Sequence, residues 1–196
     1  PYIANNIGLY SFGLLSLGLI FIQIFFIFTE WGFSIFAIDS IANNTNDKDI
    51  SNIISSVYFM KAIFAIISLL LFFINFSIDY LSISTPVYIG VSLAIFFGSF
   101  NSIWFYQAIN NVRFYLWVTF FARIIFLLLI FLLVNNSVDY FKVIYIQALF
   151  FAILTIFSFL DIHLNHYKFC LPSPKYLPYL FNKTKGFFFA SLIQNQ

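Results

Sequence analysis

The stretch "FYLWVTFFARIIFLLLIFLLV", residues 114–134, contains a single charged residue, Arg123. An α-helix needs about 20 consecutive apolar residues to cross the hydrocarbon core of a bilayer. The stretch therefore predicts a membrane-spanning helix with an arginine near its middle. An arginine at that depth costs ~2.5–3.5 kcal/mol on insertion scales, so its presence needs a physical explanation.

The whole chain shares this character. Of its 196 residues, 62% are hydrophobic and 8% are charged, whereas soluble domains carry about 25% charged residues. No segment shows the alternation of polar and apolar residues that membrane β-strands require, and helices satisfy all their backbone groups internally. We therefore predict an all-α, polytopic transmembrane helical bundle. Its predicted spans are residues 7–29, 53–78, 83–106, 114–134 and 143–160.

The remaining segments predict loops and one further helix. Residues 39–52 and 161–185 are polar enough to be loops, and an apolar run begins at Gly186. We expect residues 1–185 to form one transmembrane domain and residues 186–196 to begin another spanning helix. The chain starts inside an apolar region without an initiator methionine, so we expect it to be a fragment of a longer protein.

The basic residues predict the orientation in the membrane. Cytoplasmic linkers of membrane proteins carry an excess of lysine and arginine. Of the nine basic residues, six lie in linkers on the side reached after the first span, one lies on the opposite side and two lie within spans. The six, which make that side cytoplasmic, are Lys48, Arg113, Lys168, Lys175, Lys183 and Lys185, and the one opposite is Lys142. Trp31, Trp104 and Trp117 fall at the same boundary, which predicts an interfacial aromatic belt.

Polar residues recur at helical spacing inside four of the spans. Such stripes are typical of helices that surround a wet cavity or meet along a polar seam. Glycines within spans predict close helix packing. The stripes are Ser16, Gln23 and Glu30; Lys61, Ser68 and Asn75; Tyr115, Thr119 and Arg123; and Gln147, Thr155 and Ser158, and the glycines are Gly13, Gly18, Gly90 and Gly98.

The charged members of these stripes allow two interpretations. Arg123 lies ten residues beyond Arg113, roughly 15 Å deep at 1.5 Å per residue, too deep to reach either surface easily. It must face water, a ligand or an acid, and Glu30 is the one acid near a span interior. Arg123 therefore either contacts an anion or pairs with Glu30. Lys61 is shallower and either extends to the surface or has a function. A lipid-linked phosphate or pyrophosphate would suit a guanidinium at this depth.

Motifs for enzymatic chemistry are weak. The single cysteine, Cys170, excludes an internal disulfide and a cysteine-cluster metal site. His163 and His166 lack a third ligand, so we predict no metal site. No Ser-His-Asp order and no Gly-rich phosphate loop occurs. We therefore expect a protein that is not an enzyme, needs no cofactor and binds no nucleic acid.

Six segments, taken in order along the chain, match the pattern of a known family. They are "PYIANNIGLYSFGLLS" (1–16), "TEWGFSIFAIDSIA" (29–42), "SSVYFMKAIF" (55–64), "IWFYQAI" (103–109), "FARIIFLLLIFLLV" (121–134) and "FCLPSPKYLPYLFNKTKGFFFASL" (169–192). Together they resemble the O-antigen and polysaccharide repeat-unit flippases (Wzx-type translocases), which belong to the multidrug/oligosaccharidyl-lipid/polysaccharide exporter superfamily. At Asp39 the chain departs from that family, which commonly has a basic residue there.

The resemblance implies a transporter of the bacterial inner membrane. The five spans would be helices two to six of a two-lobed, MATE-like fold, and the chain an N-terminal-lobe fragment. It would flip undecaprenyl-pyrophosphate-linked oligosaccharide across the membrane for O-antigen or capsule synthesis. Its other partners would be the surrounding membrane lipids and other polysaccharide assembly proteins. Arg123 and Lys61 would attract the pyrophosphate, and Glu30 would form an ion pair or carry a coupling proton. The residues expected to meet sugar hydroxyls are Gln23, Asn101 and Gln107.

Two other functions remain as alternatives. A drug/cation antiporter of the same superfamily would need an acidic cavity, whereas the charges in the predicted spans, Lys61 and Arg123, are basic. A membrane-bound polysaccharide polymerase or acyltransferase would need catalytic residues on outer loops. The outer linkers offer only Asp79, Asp139 and Lys142.

Overall fold

A computed structural model describes residues 2–44, 46–78, 84–164, 167, 169–172 and 176–194. Within these ranges the chain forms α-helices and one 3₁₀ turn, Ser137–Asp139, with no strand. The predicted all-α fold is confirmed. The helices are α1 (Tyr2–Glu30), α2 (Phe33–Ala42), α3 (Asp47–Ile78), α4 (Thr85–Ser99), α5 (Ile103–Ala108), α6 (Arg113–Leu133), α7 (Tyr140–Leu164) and α8 (Tyr176–Gln194).

Five segments of the described chain are long and apolar enough to cross a membrane. They coincide with the five predicted spans, which confirms a polytopic membrane protein. Pro86 lies in the first turn of α4, where its missing N–H breaks no helical hydrogen bond. The segments are Tyr2–Glu30, Asp47–Ile74, Thr85–Ala108, Arg113–Leu133 and Ser137–Leu164.

The core consists of two apolar clusters that follow one another along the bundle. Helix α4 packs against α1, α3 and α7, and α7 packs against α6. The first cluster lies where α2 and α5 meet, and includes Phe33, Phe36, Trp104 and Tyr106. The second lies toward the other end, and includes Ile7, Val87, Val134 and Ile144. Phe126 packs against both clusters, so its turn of α6 lies near mid-depth.

Both predicted loops are shorter than expected. Within residues 39–52, α2 continues to Ala42 and α3 begins at Asp47. Within residues 161–185, α7 continues to Leu164 and α8 occupies Tyr176 onward, so the last helix begins ten residues before Gly186. The prediction failed because these helix ends are polar or contain prolines, and tertiary contacts of α2 with α3, α5 and α8 outweigh weak local propensity.

Three of the four glycines pack closely, as predicted. A Cβ at Gly18 would lie 2.8 Å from Ile144 Cδ1, one at Gly90 would lie 3.0 Å from Ile144 Cγ2, and one at Gly98 would overlap the Phe26 ring. The prediction for Gly13 is wrong, because nothing lies within 4 Å of an added Cβ there.

The aromatic belt is only partly realised. Trp117 is 62% exposed and fits an interfacial position. Trp104 is fully buried, and its indole Nε1 has no hydrogen-bond partner among the described residues. Trp104 therefore belongs to the core rather than to the membrane interface.

Candidate functional site

Five polar side chains from α1, α2, α3, α6 and the α4–α5 connection form one connected group, the Glu30 cluster. Its centre is an ion pair between Lys61 Nζ and Glu30 Oε1, 2.8 Å apart. Ser34 Oγ donates to the other carboxylate oxygen of Glu30 at 2.5 Å. Lys61 Nζ also lies 3.5 Å from the backbone oxygen of Asn101, and the Tyr115 hydroxyl donates to Asn101 Oδ1 at 2.9 Å.

The turn after α1 brings Glu30 and Ser34 together. Trp31 and Gly32 both have positive φ, 38° and 76°, so the chain bends sharply between α1 and α2. Glycine adopts this conformation freely, but tryptophan rarely does. The Trp31 ring stacks on Phe181 with 5.8 Å between centroids and packs on Phe64 at 5.2 Å. These contacts hold the turn and so fix the Glu30 carboxylate toward α3.

A break in the third span provides the acceptor for Lys61. The sequence predicted one continuous span over residues 83–106, but α4 ends at Ser99 and α5 begins at Ile103. Carbonyls released at a helix end need partners, and Thr155 Oγ1 donates to the Phe97 oxygen at 2.8 Å. The group "GSFNS", residues 98–102, was the available signal, because clustered Gly, Ser and Asn mark breaks.

Two hydrogen-bonded pairs next to the break were missed from the sequence. The Tyr58 and Ser102 hydroxyls lie 2.5 Å apart, and the Tyr106 hydroxyl donates to Asp161 Oδ2 at 3.0 Å. Each pair ties the break to a neighbouring helix, α3 or α7. Tyrosines within apolar runs carry no signal of their partners, since each partner lies more than 40 residues away in the chain.

Arg123 lies apart from the Glu30 cluster. Its side chain is exposed on α6, and no ion pair or hydrogen bond to it is found among the described residues. Its guanidinium carbon lies 4.0 Å from the centroid of the Phe150 ring and 5.6 Å from that of Phe126. The interpretation in which Arg123 pairs with Glu30 is therefore wrong for this structure, because Glu30 pairs with Lys61 instead.

The other candidate residues occupy different environments. Gln23 and Gln107 are exposed, and neither side chain has a hydrogen bond within the described ranges. Asn101 is half-buried, and its Oδ1 also accepts from the Ile103 backbone N–H at 3.0 Å. The structure thus brings Glu30, Lys61 and Asn101 together, whereas Arg123, Gln23 and Gln107 stand outside that group.

The predicted stripes differ in how far they are buried. Ser68 is fully buried like Lys61, and its hydroxyl has no partner among the described residues.

Several residues named above lie outside the described part of the chain, namely Asp79, His166, Lys168, Lys175 and the side chain of Asn75. In the part that is described, no three His, Cys, Asp or Glu side chains are grouped so as to hold a metal ion.

The two basic side chains within the spans, Lys61 and Arg123, therefore differ in whether an acid neutralises them. The Lys61 ammonium is fully buried and is neutralised by Glu30, which makes a buried ammonium within a span tolerable. No acid pairs with Arg123 among the described residues, and its side chain is exposed. In the part of the chain that the structure describes, Arg123 is therefore an uncompensated positive charge in the middle of α6, and such a charge favours an anion.

Comparison with known proteins gives one result for nearly the whole chain. The family model described as "Polysaccharide biosynthesis protein" matches residues 1–195. No curated protein and no solved structure matches the chain.

Proposed function

The chain belongs to the polysaccharide biosynthesis protein family, and from that membership we propose that it flips undecaprenyl-pyrophosphate-linked oligosaccharide units across the bacterial inner membrane. The units would serve O-antigen or capsule synthesis. Membership in a family of polysaccharide synthesis and five apolar helices long enough to span a bilayer support this function. They favour transport of a lipid-linked intermediate over a reaction in water.

The observation that supports the proposal most is the state of Arg123. It is exposed on α6, and only 11% of the residues in the most apolar stretch of this helix are buried. An arginine without an acid in such a place is stabilised by an anionic ligand. A pyrophosphate offers coplanar oxygens that accept paired N–H bonds from a guanidinium. We assign the pyrophosphate contact to Arg123.

The remaining candidates take supporting roles in this proposal. Lys61 is enclosed and already paired, so it would meet the pyrophosphate only after leaving Glu30. Glu30 is 42% exposed, and protonation of its carboxylate would release Lys61, so a coupling proton would act here. Gln23 and Gln107 are exposed amides suited to sugar hydroxyls, and Asn101 would join them through its amide nitrogen.

The chain would form the first lobe of a two-lobed transporter with alternating access. Residues 1–185 would constitute that lobe, and α8 would lead onward. The partners would be the lipid-linked oligosaccharide, the surrounding lipids and other polysaccharide assembly proteins. The side that carries Lys48, Arg113 and Lys183 would face the cytoplasm.

A drug/cation antiporter is the second candidate, and one observation favours it. The Glu30 carboxylate is partly exposed, as an acid that binds a cationic drug would be. The Lys61 ammonium already occupies that carboxylate, however, and Arg123 would repel a cation. We therefore rank the antiporter second.

Deletion of the full-length gene in its own bacterium tests the function. We expect lipid-linked oligosaccharide to accumulate in the inner leaflet, protected from enzymes added to the outside of spheroplasts, and surface polysaccharide to be lost. The full-length gene should restore both. Normal arrival of the units in the outer leaflet of the deletion strain would disprove flipping. Sensitivity to cationic drugs with unchanged polysaccharide would establish the antiporter instead.

A further inference from the structure

The guanidinium of Arg123 is held against aromatic rings rather than against polar groups. Its central carbon lies 4.0 Å from the Phe150 ring centroid and 5.6 Å from that of Phe126. Phe150 comes from α7 and is 4% exposed, so its ring is fixed by the core. A cation within about 6 Å of a ring centroid is attracted by the ring quadrupole, and more strongly where water is excluded.

This contact determines which part of the guanidinium remains available. A guanidinium is planar, with five N–H donors around its edge and none on its faces. The Phe150 and Phe126 rings supply no oxygen or nitrogen acceptor to the guanidinium, so its N–H donors keep their capacity to bond a ligand. No described residue accepts from them. A ligand must then approach in the guanidinium plane, which is the geometry that phosphate oxygens use for paired N–H bonds.

The surroundings of Arg123 suit the lipid end of such a ligand. Its neighbours along α6 are apolar and exposed, namely Phe120 at 54%, Ile124 at 39% and Leu127 at 53%. Phe126 touches both core clusters, which places the guanidinium near mid-depth. A phosphate attached to a long apolar chain could reach this depth with its chain along α6, whereas a free hydrophilic anion would have to leave water.

We propose that Phe150, assisted by Phe126, is a positioning residue that orients Arg123 edge-on toward the phosphate of a polyprenyl lipid. The inference rests on the proposed function, since it deepens the assignment of Arg123. The electron density of the Phe150 ring sets the orientation and affinity of the guanidinium, and the ring does more than fill space between α6 and α7.

Fluorination separates this role from packing. Replacing Phe150 by mono-, di- and trifluorinated phenylalanine weakens the ring quadrupole stepwise at nearly constant shape. The full-length protein in lipid nanodiscs would be titrated with polyprenyl pyrophosphate. We expect the half-saturating concentration to rise with each fluorine and Phe150→Leu to raise it about 3- to 30-fold, the range of a cation–π contact. Arg123→Lys should also bind more weakly, because an ammonium lacks the planar edge.

Phe151 provides the matched control. It neighbours Phe150 on α7 and packs edge-on against Phe26 with 4.9 Å between the ring centroids, whereas the Arg123 guanidinium lies over Phe150 and Phe126. Its fluorinated series and Phe151→Leu should leave binding unchanged. If fluorination at Phe150 has no effect while Arg123→Ala weakens binding, the positioning role is wrong and the proposed function stands. If Arg123→Ala itself leaves binding unchanged, the phosphate contact fails and the positioning role fails with it.

Discussion

Lys61 and Glu30 form an ion pair in which the lysine side chain is fully buried and the glutamate side chain is 42% exposed, with 2.8 Å between Nζ and Oε1. Loss of one partner therefore affects the other to a different degree in each case. Without Glu30 the ammonium would be enclosed and uncompensated, whereas without Lys61 the carboxylate would still reach water. The pair also connects α1 to the break between α4 and α5 through the Asn101 oxygen.

The first prediction concerns that asymmetry. Glu30→Gln should lower the free energy of unfolding by about 1–3 kcal/mol, because it leaves the buried Lys61 ammonium without the carboxylate that pairs with it. Lys61→Met should lower it less, and the double variant should recover most of the loss. Unfolding of the purified protein in mixed micelles, followed by circular dichroism, measures each value.

An ion pair whose lysine, rather than its acid, is the exposed partner serves as the control. Lys142 Nζ lies 2.6 Å from Asp139 Oδ1, and the Lys142 side chain is 39% exposed. Lys142→Met should change stability by at most about 1 kcal/mol. A larger loss for Lys61→Met than for Glu30→Gln would contradict the burial asymmetry.

The second prediction concerns the break in the third span. Tyr115→Phe removes the hydroxyl that donates to Asn101 Oδ1 and should destabilise the protein by about 0.5–1.5 kcal/mol. Tyr145→Phe is the matched control, because no hydrogen bond of its hydroxyl is found in the described part of the chain. Equal effects of the two variants on the unfolding midpoint would show that the Asn101 contact adds nothing.

The third prediction uses two glycines. Gly98→Ala would push its Cβ into the Phe26 ring and should cost about 1–3 kcal/mol, as overpacking does. Adding Phe26→Leu should recover part of this loss by opening space. Gly13→Ala meets open space and should be neutral or stabilising by up to about 1 kcal/mol. The proposal of close α1–α4 packing at Gly98 fails if Gly98→Ala unfolds at the wild-type midpoint.

The fourth prediction tests the orientation. Cys170 is exposed, and its backbone N–H donates to Ser55 Oγ at 2.9 Å, which places it at the same end of the bundle as the start of α3. A membrane-impermeant thiol reagent should modify Cys170 only after the cytoplasmic side is opened, as read by mass spectrometry. Modification in intact cells would invert the assignment of sides.

Much of this fold could be predicted because hydropathy alone determines spanning helices. Length and apolar content predicted five spanning helices, and the structure has helices long and apolar enough to span a membrane in those five regions. The helix ends were less predictable. The end of α2 and the start of α3 are polar, and the first turn of α8 contains Pro178, so their helicity depends on packing partners that a single segment does not reveal.

The sequence identified the charged residues of the candidate site but not which residues each of them contacts. Glu30, Lys61 and Arg123 were recognisable because charges inside spans are costly. Which acid pairs with which base depends on the rotation of each helix about its axis, and sequence spacing leaves that rotation undetermined. The same limit explains why Gly13 was expected to pack and why the contact of Arg123 with Phe150 was not anticipated.

Comparison of two arginines on α6 tests the proposed function most directly. Arg123 lies in the middle of the helix against Phe150, whereas Arg113 is exposed at the first residue of the helix. Flipping of polyprenyl-pyrophosphate oligosaccharide would be measured in proteoliposomes containing equal amounts of each full-length variant. We predict that Arg123→Ala abolishes flipping while Arg113→Ala retains the wild-type rate. Flipping at the wild-type rate by Arg123→Ala would contradict the assignment of the anion contact.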